Sequence, residues 1–132
     1  MKSVGCIMCL MCLMCATCGA NESDEQYKQF QSHLETTNNM GFILFYGDGC
    51  EPCKRMAAEL VGLRKFMEDS DISVLHIRSD AKVYGQFAKI VGKGQVVPLY
   101  CLTKRGGKTM YGADVGYRSN RELVDWMHKL VK

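Results

Sequence analysis

No run of like charge breaks this sequence of 132 residues: lysines and arginines are interspersed with acids, and the formal net charge is only +3. Nucleic-acid binding, which shows as a concentrated basic patch or stripe, is therefore not expected. Proline is scarce, with Pro52 and Pro98 the only two, and neither an internal repeat nor a long linker divides the chain. Histidine is scarce as well, and His33, His76 and His128 form no paired knuckle with one another or with Cys101, which leaves a zinc site short of ligands. What is present is a globular balance, 47% hydrophobic and 23% charged, enough to bury a core and unlike a disordered chain. One compact domain of roughly 110 residues is expected.

The eight cysteines fall into two populations. Cys6, Cys9, Cys12, Cys15 and Cys18 recur every third residue in an uncharged stretch that runs from Ser3 to Asn21 behind Lys2. That stretch ends in small residues and gives way to the polar Glu22, Ser23, Asp24 and Glu25, the layout of a secretory leader over residues 1–20. With no acid or histidine interleaved, the cysteines there serve as small hydrophobes and not as a metal ladder. Two processing routes fit the leader: cleavage after Ala20, or lipid attachment at Cys18, where Ala16-Thr17-Cys18-Gly19 resembles a lipobox with Cys15 in place of the usual Leu. Either route sends residues 21–132 out of the cytoplasm, to a periplasm or to a membrane surface facing an extracytoplasmic space.

The remaining residues alternate between helix and strand patterns. Ser23-x-x-Gln26 has the form of a capping box ahead of Tyr27, Phe30 and Leu34, an amphipathic helix ending near Asn38 and Asn39. Phe42 to Tyr46 are five consecutive large hydrophobes between glycines, a strand covered on both faces. From Pro52, the residues Cys53, Met56, Ala57, Leu60, Leu63 and Met67 trace one face of a single helix. A strand follows at Ile72–Ile77, then a helix from Val83 that stops at Gly92. Val96–Leu102 and Thr109–Tyr111 are expected to pair across the Arg105-Gly106-Gly107-Lys108 turn. Ser119-Asn120-Arg121-Glu122 caps a last helix whose Leu123, Met127, Leu130 and Val131 face inward. The series α-β-α-β-α-β-β-α predicts an α/β fold: a four-stranded mixed sheet with helices on both faces and an added N-terminal helix.

Cys50 and Cys53 stand where the buried strand hands over to a helix, after the exposed Gly47-Asp48-Gly49 turn. Backbone N–H groups and the helix dipole at such an N-terminus stabilise a thiolate, so Cys50 is the candidate nucleophile and Cys53, one turn on, the resolving thiol. A static disulfide, or half of a metal clamp, is the alternative reading of the same two residues.

These residues resemble the thioredoxin superfamily. The Phe42–Tyr46 strand, Cys50-Glu51-Pro52-Cys53-Lys54, Val97-Pro98, the Gly-Gly hairpin and Val115-Gly116-Tyr117 occur in that family's order and at similar spacing, over nearly all of residues 24 to 132. The resemblance implies a thioredoxin-like fold and protein thiol-disulfide exchange without a bound cofactor or metal. It implies disulfide-containing protein substrates, a redox donor protein that can be membrane-bound, and a substrate strand held by Val97 and a cis Pro98. Three positions depart from the pattern: Gly49 replaces the usual Trp, Ala58 a helix-kinking Pro, and Leu44 a buried acid. His76 aligns with the lysine that ordinarily faces that acid, which makes it a candidate for proton handling. Cys101 reads as a core thiol. As to direction, Asp48 and Glu51 set negative charge beside the thiolate while Lys54 and Arg55 are expected to be solvated and screened, which favours a reductant or mild exchanger over a strong oxidant.

Overall fold

The computed structural model describes residues 22–132. The expected leader, with its cleavage after Ala20 or lipid attachment at Cys18, lies outside the described residues. Helix α1 (Glu22–Thr37) leads into β1 (Met40–Tyr46), followed by α2 (Glu51–Val61), α3 (Arg64–Asp69), β2 (Ile72–Arg78), α4 (Lys82–Val91), β3 (Leu99–Thr103), β4 (Met110–Val115) and α5 (Asn120–Val131). The strands form one sheet in the order β2-β1-β3-β4. Strand β1 runs parallel to β2 and antiparallel to β3, and β3 and β4 form an antiparallel hairpin. The expected mixed sheet, N-terminal helix and helices on both faces are all present.

Strand β1 is apolar without alternation because both of its faces are covered. Phe42 and Leu44 join Met56 and Leu60 of α2 and Leu123 and Met127 of α5 in one core layer. Ile43 and Phe45 join Phe30 and Leu34 of α1 and Tyr84 and Phe87 of α4 in the other. Each fully buried side chain of this kind contributes roughly 1.5–3 kcal/mol. In the first layer Phe42 stacks on Tyr100 at 5.9 Å between ring centroids, and Trp126 meets Tyr100 edge-on at 5.0 Å.

Several of the predicted boundaries shift. Helix α1 is already formed at Glu22, and Ser23 is a buried residue of its first turn instead of a cap. The single helix expected from Pro52 to Met67 is two, because the chain breaks at Gly62-Leu63; glycine costs about 1 kcal/mol in a helix interior, and a side chain at position 62 would crowd Asn120 of α5 at 3.4 Å. Strand β3 begins at Leu99, not Val96, since Pro98 has no N–H to give a sheet ladder. Strand β4 runs on to Val115, well past Tyr111. Other signals hold. Gly92 ends α4 in a left-handed conformation, and at α5 the Ser119 hydroxyl accepts from the Glu122 N–H while the Glu122 carboxylate accepts from the Ser119 N–H.

Candidate functional site

The sheet delivers β1 to the surface at Tyr46, and three residues later the chain must reverse into α2. Gly49 makes the reversal with φ +69°, a conformation costly for residues with a Cβ. Cys50 is then the N-cap of α2: its backbone is extended and its Sγ accepts the Cys53 N–H at 3.2 Å. Pro52 fits the first turn because its missing N–H would have no helical partner there. Cys50 and Cys53 are joined as a disulfide with their Cα atoms 5.3 Å apart. The two sulfurs are unequally placed. Cys50 is half-buried, whereas Cys53 is only 3% exposed.

The charges around the pair are matched from elsewhere in the fold. Arg78, at the end of β2, donates to both carboxylate oxygens of Asp48, and Lys54 lies 3.6 Å from Glu51. Arg55 lies over the Tyr117 ring at 4.3 Å. Tyr117 in turn donates its hydroxyl to Glu59 at 2.7 Å, and the Asn120 N–H donates to the other oxygen of the same carboxylate at 2.8 Å. Those two bonds, the Tyr117 bond foremost, hold the Glu59 carboxyl below its ordinary value. They also fasten α2 to the loop that starts α5. Neither Arg78 nor Glu59 stands out in the sequence; the two-residue period that puts Arg78 on the same face as His76 is the available signal.

The Val97–Pro98 peptide bond is cis, as the resemblance implies. Val97 reaches the loop before Cys50, where its Cγ2 would stand 3.4 Å from a Cβ at Gly47. Pro98 is buried, and its carbonyl accepts the Gly116 N–H at 2.9 Å. His76 is brought to the cysteines by register: it is the β2 partner of Leu44, and it shares with Leu44, Cys50, Cys53 and Lys54 the wall of a cavity of about 350 Å³. Its side chain sits at the exposed sheet edge, yet desolvation on the cavity side lowers its pKa from the ordinary histidine value. Cys101 is not part of this group. It pairs with Ile43 and lies in the core layer on the opposite side of the sheet from Leu44, where burial pushes its thiol up to about 12. Among the described residues, no group of three or more His, Cys, Asp or Glu is placed to hold a metal ion.

Comparison with known proteins gives a consistent family and fold. The thioredoxin family model matches residues 22–129. A search of curated protein sequences found no significant match. Among solved structures, a malarial protein aligns with a TM-score of 0.56 and 23% identity, over 72% of this chain and 100% of its own. Thioredoxin-2, a component of the malaria parasite protein secretion machinery, aligns with a TM-score of 0.55 and 22% identity, over 70% of this chain and 84% of its own. Chloroplastic thioredoxin z aligns with a TM-score of 0.57 and 16% identity, over 78% of this chain and 88% of its own. At such identities the likeness to these structures concerns the fold.

Proposed function

This chain belongs to the thioredoxin family, and from that premise we propose that it is a protein thiol-disulfide oxidoreductase that reduces or exchanges disulfides of exported proteins. One observation carries the reading: the two sulfurs of a single helix N-terminus differ in access, Cys50 half-buried at the N-cap and Cys53 only 3% exposed. An incoming disulfide meets Cys50 first. The Cys50 thiolate attacks one substrate sulfur and forms a mixed disulfide as the other substrate sulfur leaves as a thiolate, and Cys53 then attacks Cys50 and releases the sulfur still bound to it. Val97 and Pro98, next to the loop before Cys50, hold the substrate strand beside the sulfurs.

The proposed direction follows from how little stabilises the reduced form. A thiolate at Cys50 receives the Cys53 N–H and the dipole of α2, but Lys54 is drawn to Glu51 and Arg55 to Tyr117. The sequence-based ground for the same direction, uncompensated negative charge at Asp48 and Glu51, is replaced by this one, since both acids are paired. A weakly stabilised thiolate makes the dithiol the better electron donor. Export, by way of the leader and with or without a lipid at Cys18, supplies the compartment, and a redox donor protein, soluble or membrane-bound, returns the dithiol after each turnover.

The test is a trapping experiment. Cys53→Ser accumulates mixed disulfides with substrate proteins through Cys50, while Cys50→Ser traps little and is inactive in insulin reduction. If neither substitution alters insulin reduction, the pair is a static disulfide on a binding scaffold and the oxidoreductase reading fails.

A further inference from the structure

We infer that His76 takes the proton from Cys53 as that cysteine resolves the mixed disulfide, acting across the cavity that His76 and both cysteines line. The inference rests on the exchange reaction proposed above. Cys53 must become a thiolate to attack, yet it is almost wholly enclosed, and apolar enclosure keeps a thiol protonated. Leu44, which shares the cavity wall with Cys53, offers no group to relieve this. The next position across the sheet from Leu44 is His76.

The cavity's other charged members are already engaged, Asp48 by Arg78 and Lys54 by Glu51. On its far side His76 borders a second hollow with Arg64, Glu68 and Asp71. There Asp71 lies 3.9 Å from Arg105, which leaves one charge of each sign, Arg64 and Glu68. Desolvation on the cavity side then governs the imidazole and lowers its pKa from the ordinary value, towards the neutral form that a base needs. A cavity of about 350 Å³ has room for water, at about 30 Å³ per molecule, so a bridging water can link the ring to the Cys53 sulfur.

In the step itself the Cys53 S–H bond breaks and its proton passes to the imidazole. The Cys53 sulfur then forms a bond to Cys50 Sγ as the bond from Cys50 to the substrate sulfur breaks. The substrate sulfur leaves with that electron pair and takes the proton back from the imidazolium. The cysteine pair is oxidised by two electrons and the substrate disulfide is reduced to two thiols, with no further reactant.

The experiment mixes the reduced full chain with oxidised glutathione, quenches it in acid at short times, and follows by mass the Cys50–glutathione adduct and its conversion to the Cys50–Cys53 disulfide. In His76→Gln the adduct forms at the wild-type rate but converts at least about 10²-fold more slowly near neutral pH, the usual loss on removing a positioned base. Its conversion then rises in proportion to hydroxide. In His76→Ala, added imidazole restores the conversion. If both variants convert at the wild-type rate with the wild-type pH profile, or slow both steps alike, the inference is overturned while the exchange reading stands. If the wild-type protein forms no Cys50 adduct, the exchange reading falls and takes the inference with it.

Discussion

Arg78 meets Asp48 across thirty residues of sequence, donating to its two carboxylate oxygens at 2.5 and 2.6 Å. The consequence is felt two residues further on, where an unpaired carboxylate would oppose a thiolate at Cys50. Arg78→Ala exposes that charge. The Cys50 thiol should then titrate higher and react with disulfides about three- to tenfold more slowly near neutral pH, an effect that fades as salt is added because the pair is solvent-exposed. Ultraviolet thiolate titration of wild type and variant at low and high salt is the check, and superimposable curves at low salt would refute it.

Glu59 makes a second link testable by pH. Its carboxyl is held below the ordinary value of 4.5 by the Tyr117 hydroxyl and then by the Asn120 N–H. A carboxyl whose folded value is depressed contributes stability that is present above the unfolded value and disappears as pH falls through the folded one. Glu59→Gln should therefore lower the urea midpoint at neutral pH and lose that difference in acid below the folded titration. A gap of constant size across the range would show that the carboxylate charge is not what matters.

Cys101 should be chemically silent. With its thiol pushed up to about 12, four decades above pH 8, roughly one molecule in ten thousand carries a thiolate there, and the residue is fully enclosed. Alkylation of the reduced native protein, mapped by peptide mass, should mark Cys50 and leave Cys101 unmodified until denaturant is added. Native labelling of Cys101 at a comparable rate would contradict its placement.

The proposed export carries a separate prediction. Protein recovered from its native membrane or envelope should begin at Asn21, or at a lipid-bearing Cys18. Intact mass distinguishes these, and a soluble cytosolic form that keeps Met1 would end the export proposal.

Much of the fold is legible along the chain itself. Phe42 to Tyr46 declare a strand buried on both sides because a polar residue has no place on either face, and Ser119 with Glu122 declares a helix start because that chemistry is complete within four residues. Cys50 and Cys53 are legible for the same reason: nucleophile, resolving thiol and helix N-terminus are local. The failures are of the opposite kind. The break at Gly62 falls where Asn120 of α5 comes close. Asp48 reads as an uncompensated charge because Arg78 sits on another strand, and nothing near Glu59 announces Tyr117, 58 residues away. Spacing along the chain states what a segment prefers; it does not state which distant side chain will neutralise it.

Strand β2 lies at the edge of the sheet, with β1 as its single neighbour, and both His76 and Arg78 belong to it. An edge strand can detach at a lower free energy than the central strands, as amide hydrogen exchange would register. Each such excursion withdraws the imidazole from the cavity and the guanidinium from Asp48 at once, while the Cys50–Cys53 turn remains on β1 and α2. The site thus has two levels of durability: sulfur chemistry anchored to a central strand, and its tuning borrowed from an edge strand.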